Sequence, residues 1–334
     1  MLSLKIKAKM EINVLITSVS KKVWLVETFK NALAQAEGVS GKVVSADSDP
    51  LSAGFYKSDK YCIVPYSDEP DFIPEILSIC KKEKIRLIVP TRDGELLVFA
   101  KNKSRFKEQG IEVMVSDPEI IGICNDKYRF YEFMQENNIL IPKTMLLSRI
   151  DFCSLKYPLM VKEREGSGSK ALYKVENEQE LKFSSTRISC PVIQEFLEGK
   201  EYTVDLLADF NGRVLTVVPR ERVETVAGES YKSRTINNSK LINCAKNVAE
   251  TLGVIGHITL QFIESGGLLK IIEINPRFGG AAILGIKAGC NTPLLLLKLV
   301  GGEKIEPQIG NFKDGLIMLR YTNDLFISDG NLLE

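Results

Sequence analysis

Apolar positions fall into short runs separated by stretches with helical spacing. "INVLIT" (12–17) is a compact apolar strand, and a helical stretch over 23–36 leads to "KVVSAD" (42–47). "YCIVP" (61–65) and "RLIVP" (86–90) are further strands, with a helix near 73–84 between them. "GELLVFAKNKSRFKEQG" (94–110) has helical spacing and "IEVMVS" (111–116) reads as a strand. Strands alternating with helices predict a parallel, doubly wound sheet ending near Asp117. Residues 1–10 precede the pattern and read as a disordered or late-folding extension.

Beyond Pro118 the spacing is helical to Asn138, broken at Asn125-Asp126, which can cap a new helix. After Pro142 strands multiply: "TMLLS", "PLMVKE", "ALYKV", "PVIQEF", "EYTVDLLAD", "RVLTVVPR", "HITLQFIE" and "LLKIIEIN". Turn residues between neighbours predict antiparallel pairing. Helices are expected at 241–252 and 283–300. The fold class is therefore an α/β unit followed by an α+β region.

The last two strands flank Ser265-Gly266-Gly267, a hairpin signal. With the turn centred on Gly267, Gln261 lies opposite Glu273 and Thr259 opposite Asn275. Opposed side chains share a face, so Gln261, Glu273 and Asn275 converge, while Ile272 and Ile274 point into the core. Three oxygen-bearing side chains on one patch suit a hard cation such as Mg²⁺, with Mn²⁺ as the alternative. The competing reading is a polar face open to water. A slip of one residue would exchange the faces.

Charge excludes several classes. The 334 residues carry a formal net charge of +1, so no overall field draws nucleic acid or anionic lipid. The longest apolar run, around Leu294 to Leu297, is too short to span a bilayer, and the N-terminus lacks the features of a secretory signal. Seven scattered cysteines without C-x-x-C suggest free thiols in a reducing cytoplasm. The first strand runs into Thr17-Ser18-Val19-Ser20 and lacks the glycine pattern of a dinucleotide binder; no Walker-type loop occurs. Asp47 reads as a ribose acceptor or, with Pro50 close by, a turn residue.

A cation site calls for phosphate binders. "VKEREGSGSKAL" (161–172) sets Lys162 at a strand end, followed by Gly166, Ser167, Gly168 and Ser169, a loop able to offer backbone N–H groups to phosphate. Alone it reads equally as a hairpin turn. Lys127, after the Asn125-Asp126 cap, reads alone as a solvated helix residue.

Taken together, "DK" (126–127), "VKEREGSGSK" (161–170), "IQEFLEGKEYTVD" (193–205), "TLQFI" (259–263) and "EINPR" (273–277) resemble the ATP-grasp superfamily in order and spacing. The chain is most similar to single-chain, carbamoyl-phosphate-synthase-like members, with "VVPRERVETVAGESYKSR" (217–234) and the N-terminal "NVLITSVSKKVWLVETFKNAL" adding to the likeness. The resemblance implies a pre-ATP-grasp Rossmann-like domain over 11–117, a mobile lid subdomain over 118–195 and a C-terminal ATP-grasp domain over 196–334. It implies phosphate contacts for Lys127 and Lys162, adenine held by Gln194, Glu195, Phe196 and Leu197, and ribose by Glu201. By alternation Glu201, Thr203 and Asp205 share a strand face, which a solvated face also explains. Gln261 stands where many members carry an acid. Arg277 is implied to contact the transferring phosphoryl group or a substrate carboxylate.

Arg220, Arg222 and Arg234 cluster around "ETVAGES". Arg220 or Arg234 is the expected binder of an anionic oxygen, and Glu229 of an amine; a surface salt bridge is the alternative for each. The single histidine, His257, falls on the Gln261 face. The family reaction is ligation through an acyl phosphate, using ATP and Mg²⁺. The expected partners are a small-molecule or peptide carboxylate and an amine, with homodimerisation a family-level expectation. Bicarbonate chemistry of the carbamoyl-phosphate type and non-catalytic nucleotide sensing are the competing functions.

Overall fold

The computed structural model describes residues 9–166 and 172–328. Five parallel strands form the first unit, in the order Lys60–Ile63, Val43–Asp47, Asn13–Thr17, Ile85–Val89 and Glu112–Val113. Both faces are covered. Val14 and Ile16 face a core containing helix Val23–Gln35, and Leu15 faces one containing helices Phe72–Glu83 and Asp93–Lys101. Burial on both faces explains why "INVLIT" is apolar without alternation. Strand order reverses between Asn13–Thr17 and Ile85–Val89, so a crevice opens at their carboxyl ends, beside Ser18 and Thr91.

Two expectations change here. The helix over 94–110 breaks at Asn102 into Asp93–Lys101 and Lys103–Lys107. The strand over 111–116 pairs only at Glu112–Val113, although Met114, Val115 and Ser116 stay buried beyond the ladder.

Residues 144–195 form a four-stranded antiparallel sheet ordered Leu172–Val175, Leu159–Glu163, Pro191–Glu195, Thr144–Leu146. Helix Glu178–Thr186 backs it over a small core of Leu159, Val161, Val175, Leu181, Ile188 and Ile193.

The largest layer is a six-stranded antiparallel sheet: Leu268–Asn275, Gly256–Ser265, Lys200–Ala208, Val214–Val226, Glu229–Thr235, Ile317–Leu319. Val204, Leu206, Leu260 and Ile274 point into a core shared with helices Ser239–Leu252 and Lys127–Glu136. Asp126 caps the latter helix by accepting from Tyr128 N at 2.9 Å and Arg129 N at 3.1 Å, as the Asn125-Asp126 break predicts. Strands Glu229–Thr235 and Ile317–Leu319 are additions to the sequence reading. The helix over 283–300 is two, Ile283–Lys287 and Thr292–Val300, parted near Gly289 at φ +116°.

The first unit and the large sheet are joined by apolar packing. Phe278 lies at 6.4 Å from Trp24 and 6.2 Å from Phe29, ring centre to ring centre, in a core that also holds Leu296 and Leu297.

Candidate active site

The C-terminal hairpin turns at Gly266 and Gly267, with φ of +56° and +75°. Both values fall in the left-handed region that glycine enters freely, and such two-residue turns match the strand twist. From there Ser265 pairs with Leu268 and Phe262 with Ile271. A bulge then shifts the register, so that Gln261 lies opposite Glu273 and Thr259 opposite Asn275. Those are the predicted pairs. Ile274 enters the core as expected, but Ile272 does not. It is half-buried and lines a cavity, because the bulge sets Ile272 and Glu273 on one side and leaves Ile271 and Ile274 for the core.

That cavity has a volume of about 340 Å³ and lies between the small sheet and the large one. Lys127, Lys162, Gly166, Gln194, Glu195, Phe196 and Leu197 come to it from residues 127–197; Glu201, Arg222, Gln261 and Glu273 come from the large sheet. Eleven predicted site residues therefore share one space. Ser167, Gly168 and Ser169 lie outside the described residues.

The two walls differ in charge. Lys162 Nζ donates to Gln194 Oε1 at 2.6 Å, and Gln194 Nε2 donates to Thr144 Oγ1 at 2.9 Å, which fixes the lysine's direction. Burial pulls the Lys162 ammonium down to about 8, partly offset by the facing Glu273 carboxylate. Burial also lowers Lys127, again opposed by Glu273 and Glu163, and its Nζ donates to Gly166 O at 2.8 Å. Opposite, Asn275 Nδ2 donates to Glu273 Oε1 at 3.2 Å, and Arg222 Nη1 reaches Gln261 Oε1 at 3.3 Å and Glu201 Oε2 at 3.4 Å. An anionic group with a cation attached could span these walls.

Residues 124–281 match the family model of an ATP-grasp domain, and residues 14–114 that of a PylC-like N-terminal domain. The chain carries an ATP-grasp domain. It is 26% identical over 259 residues to the carbamoyl phosphate synthase large chain of Clostridium beijerinckii, covering 72% of this chain and 24% of that one. The chain thus spans about a quarter of the length of the curated relatives it matches. Its fold is that of a biotin carboxylase from Campylobacter jejuni solved as a β,γ-ATP complex, with TM-score 0.74, 16% identity and coverage of 92% and 75% of the two chains. An L-amino acid ligase from Bacillus licheniformis superposes with TM-score 0.68 at 17% identity, over 87% of this chain and 74% of that one.

Within the ATP-grasp domain, strand Pro191–Glu195 ends where Phe196 and Leu197 begin, leaving their backbone outside the ladder. Glu195 is held by Lys270, whose Nζ lies 2.8 Å from Oε2, and Lys174 sits 4.6 Å from the Phe196 ring centre. The predicted alternation of Glu201, Thr203 and Asp205 holds, but only Glu201 faces solvent; Thr203 and Asp205 are buried.

Arg220, Arg234, Glu229, Asn275 and Arg277 are not among the residues lining the cavity. Arg220 is buried, donating to Asp205 Oδ2 at 2.8 Å and Ser230 Oγ at 2.9 Å. Burial alone would raise Asp205, but Arg220 and His257 outweigh it and hold the carboxyl at about 2. Asp205 Oδ1 also accepts from Thr259 Oγ1 at 3.0 Å. His257 is buried against Phe278, the rings stacked at 4.0 Å. Arg234 points away to Glu221 at 2.8 Å. Glu229 bridges Lys21 at 3.0 Å and Arg320 at 2.6 Å.

Arg277 sits at the join of the two folded units. Its Nε and Nη2 reach the two oxygens of Asp93 at 2.7 Å each, and Nη2 also donates to Asn275 Oδ1 at 3.2 Å. Gly279 makes this turn fit, since a Cβ there would stand 2.6 Å from Thr259 Oγ1.

Sequence reasoning missed Asp93, Lys22 and the clamp between Arg164 and Asp126, in which Arg164 Nη2 donates to Oδ2 at 2.7 Å. Asp93 lies two residues past "IVPT" at a strand's carboxyl end, a position that could have marked it.

ATP-grasp enzymes use ATP and Mg²⁺. Among the described residues no group of three His, Cys, Asp or Glu side chains is placed to hold a metal. The donors at hand are one carboxylate, Glu273, and two amides, Gln261 and Asn275. An all-oxygen set of low charge fits Mg²⁺, which keeps several waters and leans on phosphate oxygens.

Proposed function

We propose that the protein is an ATP-dependent ligase that activates a carboxylate as an acyl phosphate and couples it to an amine or ammonia, releasing ADP and phosphate. The observation that carries this reading is the cavity with Lys127 and Lys162 on one wall and Glu273 and Gln261 on the other. Glu195 to Leu197 would hold adenine along the free backbone, and Glu201 the ribose hydroxyls. Lys162 and Lys127 would take phosphate oxygens as point charges. Glu273, Asn275 and Gln261 would hold Mg²⁺. That ion, when bound, neutralises phosphate charge.

Phosphoryl transfer needs positioning and charge compensation more than covalent help. The carboxylate oxygen forms a bond to the γ-phosphorus, and the bond to ADP breaks. The amine then attacks the acyl carbon and phosphate leaves. Arg277, which is paired with Asp93 and outside the cavity lining, would meet the transferring group only by leaving that partner. Arg222 lines the cavity, while Arg220, Arg234 and Glu229 are assigned to substrate with less support, since each is already paired.

The relatives named carbamoyl phosphate synthase favour a second reading, bicarbonate as the activated carboxylate. Phosphate release on Mg-ATP separates the two. Release that needs a carboxylate and an amine together supports the ligase; release driven by bicarbonate alone supports the alternative. Nucleotide binding without turnover across a broad panel of pairs would leave a sensor. A cytoplasmic location and a homodimer accompany the ligase reading.

A further inference from the structure

Asp93 belongs to the first unit, 184 residues from Arg277, yet its carboxylate meets that guanidinium in a two-point fork with both distances at 2.7 Å. The fork lies at the crevice where the parallel strand order reverses, the usual ligand position in such sheets. Asp93 opens helix Asp93–Lys101, whose N-terminus stabilises its negative charge.

From the fork a hydrogen-bonded chain runs toward the candidate metal donors. Arg277 Nη2 donates to Asn275 Oδ1 at 3.2 Å, and Asn275 Nδ2 donates to Glu273 Oε1 at 3.2 Å. Both amide atoms of Asn275 are thus oriented, and its oxygen is turned by a residue that Asp93 holds. On the other side, Thr259 Oγ1 lies 3.4 Å from Arg277 O and bonds Asp205, fixing the backbone of the same turn.

We propose that Asp93 is a positioning residue: it orients Arg277 and, through it, Asn275 and Glu273, so that the first unit sets the geometry of the Mg-nucleotide site. The proposal rests on the ligase reading of that site. Without the carboxylate, Arg277 would swing and Asn275 would lose its orienting donor. Lys22, near both Arg277 and Asp93, would then face the guanidinium with one countercharge fewer, Glu95 and Asp47 remaining; burial already lowers its ammonium. Groups that orient metal ligands typically matter by about 10–100-fold in metal affinity or activity.

The test is calorimetric titration of ATP into the full chain, in saturating Mg²⁺ and in EDTA, for wild type, Asp93→Asn and Asp93→Glu, with thermal unfolding of each. Asp93→Asn should lose about 10–100-fold of the Mg²⁺-dependent gain in ATP affinity, with affinity in EDTA unchanged. Asp93→Glu, which keeps the carboxylate, should recover most of the loss. If Asp93→Asn melts earlier but keeps the full Mg²⁺ gain, Asp93 is merely structural and the proposal falls. It falls equally if both variants match wild type. Wild-type protein that binds no ATP in either condition would overturn the ligase reading itself, and the positioning role with it.

Discussion

The two walls of the cavity are built to different standards. The small sheet over 144–195 rests on six buried apolar side chains, whereas the large sheet rests on a broad core shared with two long helices. The large sheet is also fastened to the first unit by Phe278 and by the Arg277–Asp93 fork. A segment with few buried apolar contacts opens at lower free energy than one inside a large core. The small sheet, which carries Lys162, is therefore the part suited to open and close, and the wall with Glu273 and Gln261 the one suited to stay. The candidate metal donors sit on the stationary part together with Lys127, whose helix packs on the large sheet's core, and Lys162 meets them from the lighter sheet.

The largest effect expected from breaking this arrangement is at Glu273. Glu273→Ala should cut ATP turnover on the order of 10³-fold, in the range of losing a central electrostatic group. Its melting temperature should stay close to wild type, because the side chain faces the cavity and not the core. ADP release and a thermal melt on the same sample check both parts; loss of folding would reassign Glu273 to structure.

On the opposite wall, Lys162→Ala should weaken ATP binding by roughly 10–100-fold, the scale of one or two charge-assisted hydrogen bonds. The effect should appear in affinity more than in the rate at saturating ATP. Unchanged affinity would remove Lys162 from phosphate binding.

A smaller effect is expected from pH. Because burial pulls Lys162 down to about 8, its ammonium is charged below that value and neutral above it. ATP affinity of the free protein should fall as pH rises through 8, well before an ordinary lysine would titrate. A flat titration between pH 7 and 9 would contradict the assignment.

How much of this was legible depended on local signals. The hairpin is legible from its Ser265-Gly266-Gly267 turn signal, yet its register comes out right through two offsetting features. The turn spans Gly266 and Gly267 instead of centring on Gly267, and the bulge at Ile272 adds back the missing residue. Apolar residues at 269, 271, 272 and 274 do not say which isoleucine leaves the core. Strand Glu229–Thr235 was invisible because its buried positions are Ser230, Ser233 and Thr235, so no apolar alternation marks it. That Lys127, Lys162 and residues 194–197 come to one cavity follows from the order of the motifs and not from any one of them, since Lys127 alone reads as a solvated helix residue. The Arg277–Asp93 fork joins residues on separate units, and only the packed fold brings them together.

Core truncations, which leave the binding groups in place, sharpen the contrast between the sheets. Leu260→Ala, in the broad core, should cost about 2–5 kcal/mol of global stability. Val161→Ala, in the small core, should chiefly raise hydrogen exchange within residues 144–195, with little change in exchange of the large sheet. Equal exchange changes in both sheets would mean that they unfold as one unit.

The central claim is that Mg-ATP is held between these two walls. Calorimetric titration of ATP into wild type and Glu273→Ala, each with Mg²⁺ and with EDTA, tests it most directly. Wild type should bind ATP more tightly with Mg²⁺ than without, and Glu273→Ala should lose that difference while still binding weakly through Lys127 and Lys162. A wild-type protein indifferent to ATP, or a Glu273→Ala variant with the full Mg²⁺ dependence, would contradict the account.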